Sequence, residues 1–336
     1  MTTPGDITMS MTRRTILAAA PATALAGSAL AQTPGQTPAP AQAPANASNQ
    51  APGFYRYKVG DIEVTAIHDG WTPRPLEGLI RNAEISAVQQ AAREAFLPTT
   101  TIQNTYTALV VKNGNRLALI DTGLGDSGPP TTGNWMTNFR AAGFDPAQVN
   151  TIIISHFHGD HIGGLRRKDG SAVFANAEVM VPAAEWAFWM DDARMNQAPE
   201  AARGGFQNAR RIFSPMAKDV KQFEADKEVI PGVTSIALPG HTPGHMGFVI
   251  SSGNGKLLVL SDAANHPALF VRNPDWSVVF DMDSDQARQT RRRALDMAAT
   301  ERTQVSFYHA PFPATGFIAR EGNGFRFVPV QWSTAA

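Results

Sequence analysis

A chain of 336 residues with 29 basic and 29 acidic side chains and 43% hydrophobic content has material for a sizeable core and no net charge with which to hold a polyanion. That balance argues against nucleic acid or an anionic membrane surface as partner, and the absence of cysteine excludes disulfides and thiolate metal sites. A small-molecule substrate is the expected partner, and the composition leaves a homodimer open.

In chain order, the first residues read as an address. Thr12-Arg13-Arg14-Thr15-Ile16-Leu17 has the pattern of a twin-arginine export signal, followed by an Ala-rich segment and by Ala29-Leu30-Ala31, a small-residue cleavage site. A signal peptide over 1–31, the twin-arginine (Tat) export machinery as partner and a periplasmic or secreted location are therefore expected. Pro21, Thr23, Gly27 and Ser28 interrupt the apolar segment, so no stable membrane insertion is expected. Residues 32–53 are Pro, Ala, Gln and Asn with few apolar side chains and cannot offset their ordering entropy, which reads as a disordered linker ahead of one domain over 54–336.

Order is expected from about Tyr55, where Tyr55 to Val59 and Ile62 to His68 flank Gly60-Asp61 as a hairpin. Ala83 to Phe96 has helical apolar spacing, with Asn82 as its expected cap. A second hairpin pairs Tyr106 to Val111 with Arg116 to Ile120 across Asn113-Gly114, and a helix over Asn134 to Ala142 stops at Gly143. The apolar run Thr151 to Ile154 then leads into Ser155-His156-Phe157-His158-Gly159-Asp160-His161-Ile162-Gly163-Gly164, which sets four metal-binding side chains within six positions. On an extended backbone His156, His158 and Asp160 would share one face and His161 would point elsewhere, implying two metals; Gly163-Gly164 would turn the chain tightly behind them. Without cysteine, an open catalytic site is favoured over a closed structural one.

Further on, a strand over Glu178 to Val181 precedes a helix over Ala183 to Met190 and a less regular insertion, Arg194 to Lys221, that reads as a lid. Strands follow at Thr234 to Leu238, His245 to Ile250 and Leu257 to Ser261, then a helix over Ser284 to Ala299 whose Arg291, Arg292 and Arg293 read as solvated. The strand Thr303 to Phe307 and a hairpin of Gly316 to Arg320 with Phe325 to Val328 complete the chain. Hairpins and strands in two halves with interspersed helices predict an α/β fold, a four-layer αββα sandwich of two mixed β-sheets. Three more candidates close apolar runs: His241 in Pro239-Gly240-His241-Thr242-Pro243-Gly244-His245, Asp262 after Ser261, and His309 after the Thr303 strand.

The succession His-x-His-x-Asp-His, Pro-Gly-His-Thr-Pro-Gly-His, a later Asp and a last His resembles the metallo-β-lactamase superfamily. Similarity runs from about Gly53 to Trp332, and Gly53-Phe54-Tyr55 and Gly324 to Val330 look most like its methyl parathion hydrolase and lactonase branch. The resemblance implies that His156, His158 and His241 hold one divalent ion, Asp160, His161 and His309 a second, and that Asp262 bridges them; Zn²⁺ leads, with Mn, Fe or Co also accommodated. It implies that His245 supports the loop, while His68 and His266 read as rim or surface residues. Five neutral imidazoles and two carboxylates would leave two divalent ions with a charge of +2, enough to lower a bridging water's pKa towards neutrality and supply a hydroxide nucleophile, with Asp160 relaying a proton.

β-Lactamase activity is not expected, because the B1 and B2 classes use a cysteine ligand and B3 lacks the bridging Asp. A mono-iron persulfide dioxygenase lacks the full second site, whereas glyoxalase II shares all seven ligands and is the nearest enzymatic rival. A non-catalytic, metal-stabilised binding protein is the alternative of a different class. Trp135, Trp186, Trp189 and Phe206 are the candidate pocket walls, though core packing is the more usual use of such residues. Leu124-Gly125-Asp126-Ser127-Gly128 carries no aromatic where phosphotriester-hydrolysing relatives tend to have one. A small neutral substrate is expected, a lactone (as in quorum quenching) or an aryl ester ahead of an organophosphate triester.

Overall fold

Chain order maps directly onto strand order in two seven-stranded sheets of the computed structural model, which describes residues 50–334. The export signal read over 1–31, and the linker read over 32–53 as far as residue 49, lie outside the described residues. The first sheet runs β1 (Phe54–Val59), β2 (Ile62–Pro75), β3 (Thr101–Asn113), β4 (Arg116–Ile120), β5 (Thr151–Ile153), β6 (Glu178–Pro182) and β7 (Lys221–Phe223). Its first four strands pair antiparallel and β4 to β7 pair parallel. The second takes β8 (Glu228–Ile230), β9 (Val233–Ala237), β10 (Met246–Ser252), β11 (Gly255–Ser261), β12 (Gln304–Phe307), β13 (Thr315–Glu321) and β14 (Gly324–Pro329), antiparallel except for β11 with β12.

Alternation along the strands divides the apolar side chains among three cores. In β3, Leu109 and Val111 join Tyr57, Val64, Phe248, Ile250 and Val259 between the sheets, while Ala108 and Val110 face the other way. On that outer face lie α2 (Trp135–Ala141), α4 (Ala183–Trp189) and α6 (Glu200–Phe213), packed through Phe139, Trp189, Phe206 and Phe213. The outer face of the second sheet is covered by α1 (Ile85–Glu94), α7 (Pro267–Phe270) and α8 (Ser284–Glu301) through Val88, Leu269, Ala294 and Leu295. Helix, sheet, sheet, helix is the expected four-layer sandwich. Two short helices complete it, α3 (Gly159–Ile162) in the histidine loop and α5 (Asp192–Gln197) ahead of α6.

Several local expectations change. Asn82 does not cap α1: Glu84 holds that position without a side-chain bond, and Asn82 instead accepts from Ser277 N–H and donates to the Asp275 carbonyl, pinning α1 to the loop before α8. The Arg194 to Lys221 insertion is more regular than it reads. α6 buries Phe206, Ala209, Ile212 and Phe213 at helical spacing and leaves its Gly204-Gly205 side towards solvent and the cavity described below. The arginine run divides, because α8 buries Ala287, Arg291, Ala294, Leu295 and Ala298 on one face. Arg291 is therefore enclosed in the core, while Arg292 is half-exposed beside Asp275 and Arg293 is exposed.

Candidate metal centre

Parallel strands deliver the site. β4 ends at Ile120, just before Asp121, and β5 ends at Ile153; Ser155 N–H donates to Asp121 Oδ1 (2.8 Å), so the chain leaves β5 already fastened to its neighbour. From there His156 and His158 follow extended backbone, but at Gly159 the chain enters α3 and the alternation stops. Asp160 is thereby carried away from His156 and His158 and grouped with His161, contrary to the shared face that an extended backbone predicts. Nor is the close turn at Gly163-Gly164 a matter of backbone dihedrals. A Cβ on Gly164 would stand 2.0 Å from the Thr122 carbonyl oxygen, and one on Gly163 would stand 2.6 Å from that of Leu124, so these glycines let two loops touch.

The second sheet supplies the remaining donors. His241 follows β9, Asp262 follows β11 and His309 follows β12. Met246 N–H donates to the Ser155 carbonyl (3.0 Å) and ties the start of β10 to the histidine loop. Two groups result, His156, His158, His241 and Asp262, and Asp160, His161, Asp262 and His309, each with donor atoms within 4.8 Å of one another. Asp262 belongs to both. Its Oδ2 lies 3.0 Å from His309 Nε2 and 3.2 Å from His241 Nε2, while its Oδ1 lies 3.3 Å from His161 Nε2.

The donor atoms fit metal ions better than they fit each other. His156 Nε2, His161 Nε2 and Asp262 Oδ1 are buried without a hydrogen-bond partner, a costly state for polar atoms unless a cation takes their lone pairs. His158 Nδ1 and His241 Nε2 approach to 2.9 Å, a nitrogen pair that needs a shared cation or proton between or beside it. Outer acceptors fix the other ring nitrogens: His161 Nδ1–H donates to Asp121 Oδ2 (2.8 Å), His241 Nδ1–H to Asp281 Oδ1 (2.9 Å), and His309 Nδ1–H to the Thr105 carbonyl (2.8 Å). In each case Nε2 is left as the lone-pair donor facing Asp262.

Electrostatics separates the imidazoles held by an outer carboxylate from those without one. Burial, aided by the neighbouring His161 and His241, holds His156 and His158 well below the ordinary imidazole range, so both are neutral donors. Burial also opposes protonation of His241, but Asp262 and Asp281 outweigh it and push this residue up to about 9. His245 is pushed down to about 4 by burial and by His241, and it bridges Asp262 N–H to the Leu238 carbonyl, the loop support expected of it.

Sequence reasoning missed the supporting residues. Asp281 lies between His241 and the core-buried Arg291, whose Nη2 donates to Asp281 Oδ2 (3.0 Å) and whose Nε donates to the Ala263 carbonyl (2.8 Å) next to Asp262. Glu185, fully buried, accepts from Phe157 N–H, Gly244 N–H and Trp189 Nε1–H, and so joins the two histidine loops to α4. The helical phase of Arg291 within Ala287, Ala294 and Leu295 was a signal for its burial; for Asp281 and Glu185 the local sequence carries none.

A cavity of about 570 Å³ opens over the donors. Of the four predicted wall aromatics only Trp189 lines it, with its indole also bonded to Glu185. Phe206 is buried behind Trp189, Trp186 packs on Phe213, and Trp135 stacks on Phe139 in the core. Leu124, Val279, Phe280 and Met282 supply the apolar walls instead, the last three from the loop before α8, and Arg74 and Arg81 stand among them. His68 is half-buried against Phe312, and His266 is buried rather than on the surface. Among the described residues no helix is long and apolar enough to cross a membrane.

Known proteins are similar to this chain in sequence and fold. A family model described as the metallo-beta-lactamase superfamily matches residues 102–309. An N-acyl homoserine lactonase from Bacillus sp is 29% identical over 171 residues, 51% of this chain and 59% of its own length, and the N-acyl homoserine lactonase AttM of Agrobacterium fabrum is 32% identical over 131 residues, 37% and 45% respectively. The chain thus spans less than two thirds of the length of these curated relatives. Among solved structures, AidC, a dizinc quorum-quenching lactonase in complex with a product, superposes with a TM-score of 0.80 at 27% identity over 84% of this chain and 99% of that one. The hydrolase AbOPH of the beta lactamase superfamily gives 0.80 at 26% identity over 85% and 100%. The matched span runs from β3 through both donor groups to His309, more than half of the chain, and by that measure the chain belongs to the metallo-beta-lactamase superfamily.

Proposed function

We propose that the protein is a metal-dependent hydrolase that opens lactones, with aryl esters as further substrates and phosphotriesters as slower ones. The observation that carries this reading is the pair of donor groups sharing Asp262 at the base of an open cavity with apolar walls. His156, His158 and His241 would hold one ion, Asp160, His161 and His309 the other, and Asp262 both, with zinc as the proposed metal. Such ions, when bound, polarise an acyl carbonyl and make solvent acidic enough to act as a nucleophile near neutral pH. Asp121, Asp281 and the Thr105 carbonyl hold three imidazoles in the orientation that requires. Asp160, whose side chain is 20% exposed where Asp262 is buried, is the carboxylate placed to pass a proton to the leaving alkoxide. The names of the similar lactonases support a lactone, and Trp189, Phe280 and Leu124 can receive an acyl chain.

Elemental analysis of the purified protein beside Asp262→Ala tests the reading. The protein should carry about two divalent ions per chain, and the variant should lose most lactone hydrolysis and part of the metal, since one carboxylate is assigned to both ions. A fully active variant with unchanged metal would refute the assignment. For the leader we propose twin-arginine export with cleavage after Ala31. Secreted material should begin at Gln32, and replacing both Arg13 and Arg14 by Lys should stop export; unchanged secretion would sink the proposal.

A further inference from the structure

Two arginines stand in the cavity wall, and they are used differently. Arg81 is committed to the fold: its Nη1 donates to the Asp281 carbonyl (2.9 Å) and to Ser284 Oγ (3.2 Å), and its Nη2 to the Val279 carbonyl (2.6 Å). The side chain of Arg74, near the end of β2, has no hydrogen bond and no carboxylate partner among the described residues, and its Nε is buried without an acceptor. The other carboxylates of the cavity are already engaged. Asp160 and Asp262 belong to the donor groups, and Asp281 sits between His241 and Arg291.

What holds Arg74 is an aromatic face. Its guanidinium carbon lies 5.1 Å from the centroid of the Phe280 ring, another residue of the cavity wall. It also lies two residues along the strand from Thr72, which is bonded to the cavity residue Tyr106, so strand alternation puts Arg74 on the same side as that bond. A guanidinium resting on a ring keeps its hydrogen-bonding fork available at the edge; carboxylate and phosphate both satisfy such a fork with two parallel bonds, and the singly charged carboxylate costs less to bring into a cavity with apolar walls. A permanently charged, partly buried donor without an acceptor is costly in the free protein. Of the three guanidinium nitrogens only Nε is buried without a partner, so the Nη pair is the part of the fork that a ligand in the cavity can reach.

We infer that Arg74 is a specificity-determining residue that binds a carboxylate borne by the substrate away from the bond to be cleaved, so that acidic esters or lactones are preferred over their neutral counterparts. The inference rests on the hydrolase reading above and narrows its substrate class, replacing the small neutral substrate expected from the sequence with one that carries a distal carboxylate. Phe280 acts as the platform that keeps the guanidinium in place, and the apolar wall of Trp189 and Leu124 accommodates the chain between carboxylate and ester.

The test uses matched aryl esters of a dicarboxylic acid, one with a free distal carboxylate and one with that group as its primary amide. Metal-loaded protein should favour the acid in kcat/KM by about tenfold or more, mainly through KM, the size expected of a charge-assisted bidentate contact. R74M should remove that ratio and R74K should keep a reduced one, since lysine retains charge without the fork. A parallel binding arm uses adipamic acid and adipamide, which carry no ester, in calorimetry with the same three proteins. Any carboxylate attraction to the metal centre is then common to all, and only the difference between the protein and R74M reports on Arg74. No preference for the acid, or an equal preference in R74M, overturns the inference in either arm. Failure of both esters to turn over would count against the hydrolase reading, and the calorimetric difference would still decide the role of Arg74.

Discussion

Asp281 shows what a single residue outside the donor set contributes. It accepts from His241 on one side and from Arg291 on the other, with both partners buried, so an imidazole's orientation depends on an ion pair anchored in α8. Asp281→Ala should lower metal affinity at the group containing His241 by about 10- to 100-fold, the usual effect of removing an outer partner of a ligating histidine. Competition with a chromogenic chelator would measure it, and unchanged affinity would show that the ring is held by packing alone. Arg291→Met leaves the Asp281 carboxylate buried beside only His241 and should destabilise the fold by about 3–5 kcal/mol, read as a fall in the denaturant midpoint at constant slope. The seven donor positions were legible because each ends an apolar run or lies in a dense motif. Asp281 was not, because its meaning comes from Arg291 and His241, which reach it only after the sheets assemble. Arg291 escaped for a related reason: a run of three arginines suggests solvent, although helical phase puts the first of them among alanines and a leucine.

Elements bring a second kind of evidence, in which a backbone path decides what side chains share. The histidine loop was expected to alternate, yet α3 begins at Gly159 and sends Asp160 to the side of His161. Four residues of helix are too short to announce themselves by periodicity, so the partition of ligands had to come from resemblance rather than from spacing. Long elements behaved otherwise: β3 and α8 formed where their periodicity lay, with ends shifted by a few residues. Close packing of loops is equally invisible in sequence. Gly164 faces the Thr122 carbonyl so closely that Gly164→Ala must separate the loops carrying Asp121 and His161, which are joined by the Thr122 N–H to His161 carbonyl bond (2.9 Å). Overpacking of this kind costs about 1–3 kcal/mol, and more where backbone must move. The expected result is a lower unfolding midpoint together with reduced metal content; a variant as stable as the parent and fully metallated would show that the contact yields easily.

At the scale of the whole molecule, the sheets set the chemistry and the loops set the choice of substrate. Alternation along β3 and β10 dictated two sheets face to face, so the sandwich is legible in the apolar patterning, whereas the convergence of strand ends from both sheets on Asp262 was legible only with the family resemblance added. The pocket walls are not, because an aromatic residue serves core and cavity equally well in sequence. Trp135 and Phe206 went to packing, while Val279, Phe280 and Met282 came from a loop with no periodic signal. Substrate preference therefore depends on the assembled cavity. Its apolar walls offer a bulky peptide-like substrate few polar partners, and its donor set attacks any electrophilic acyl or phosphoryl centre it can reach. The apolar surface near the donors, with Leu124, Val279 and Met282 beside the aromatic Tyr106, Trp189 and Phe280, favours a substrate with a flexible acyl chain. Across a panel of lactone, aryl ester, phosphotriester, glutathione thioester and β-lactam, kcat/KM should be highest for the lactone or ester, lower but measurable for the phosphotriester, and lowest for the β-lactam. Initial rates with the zinc-loaded protein decide the order. A glutathione thioester at the head of the panel would move the assignment to a thioesterase of the glyoxalase II kind, because the donor groups would be unchanged and the cavity alone would have selected the thioester.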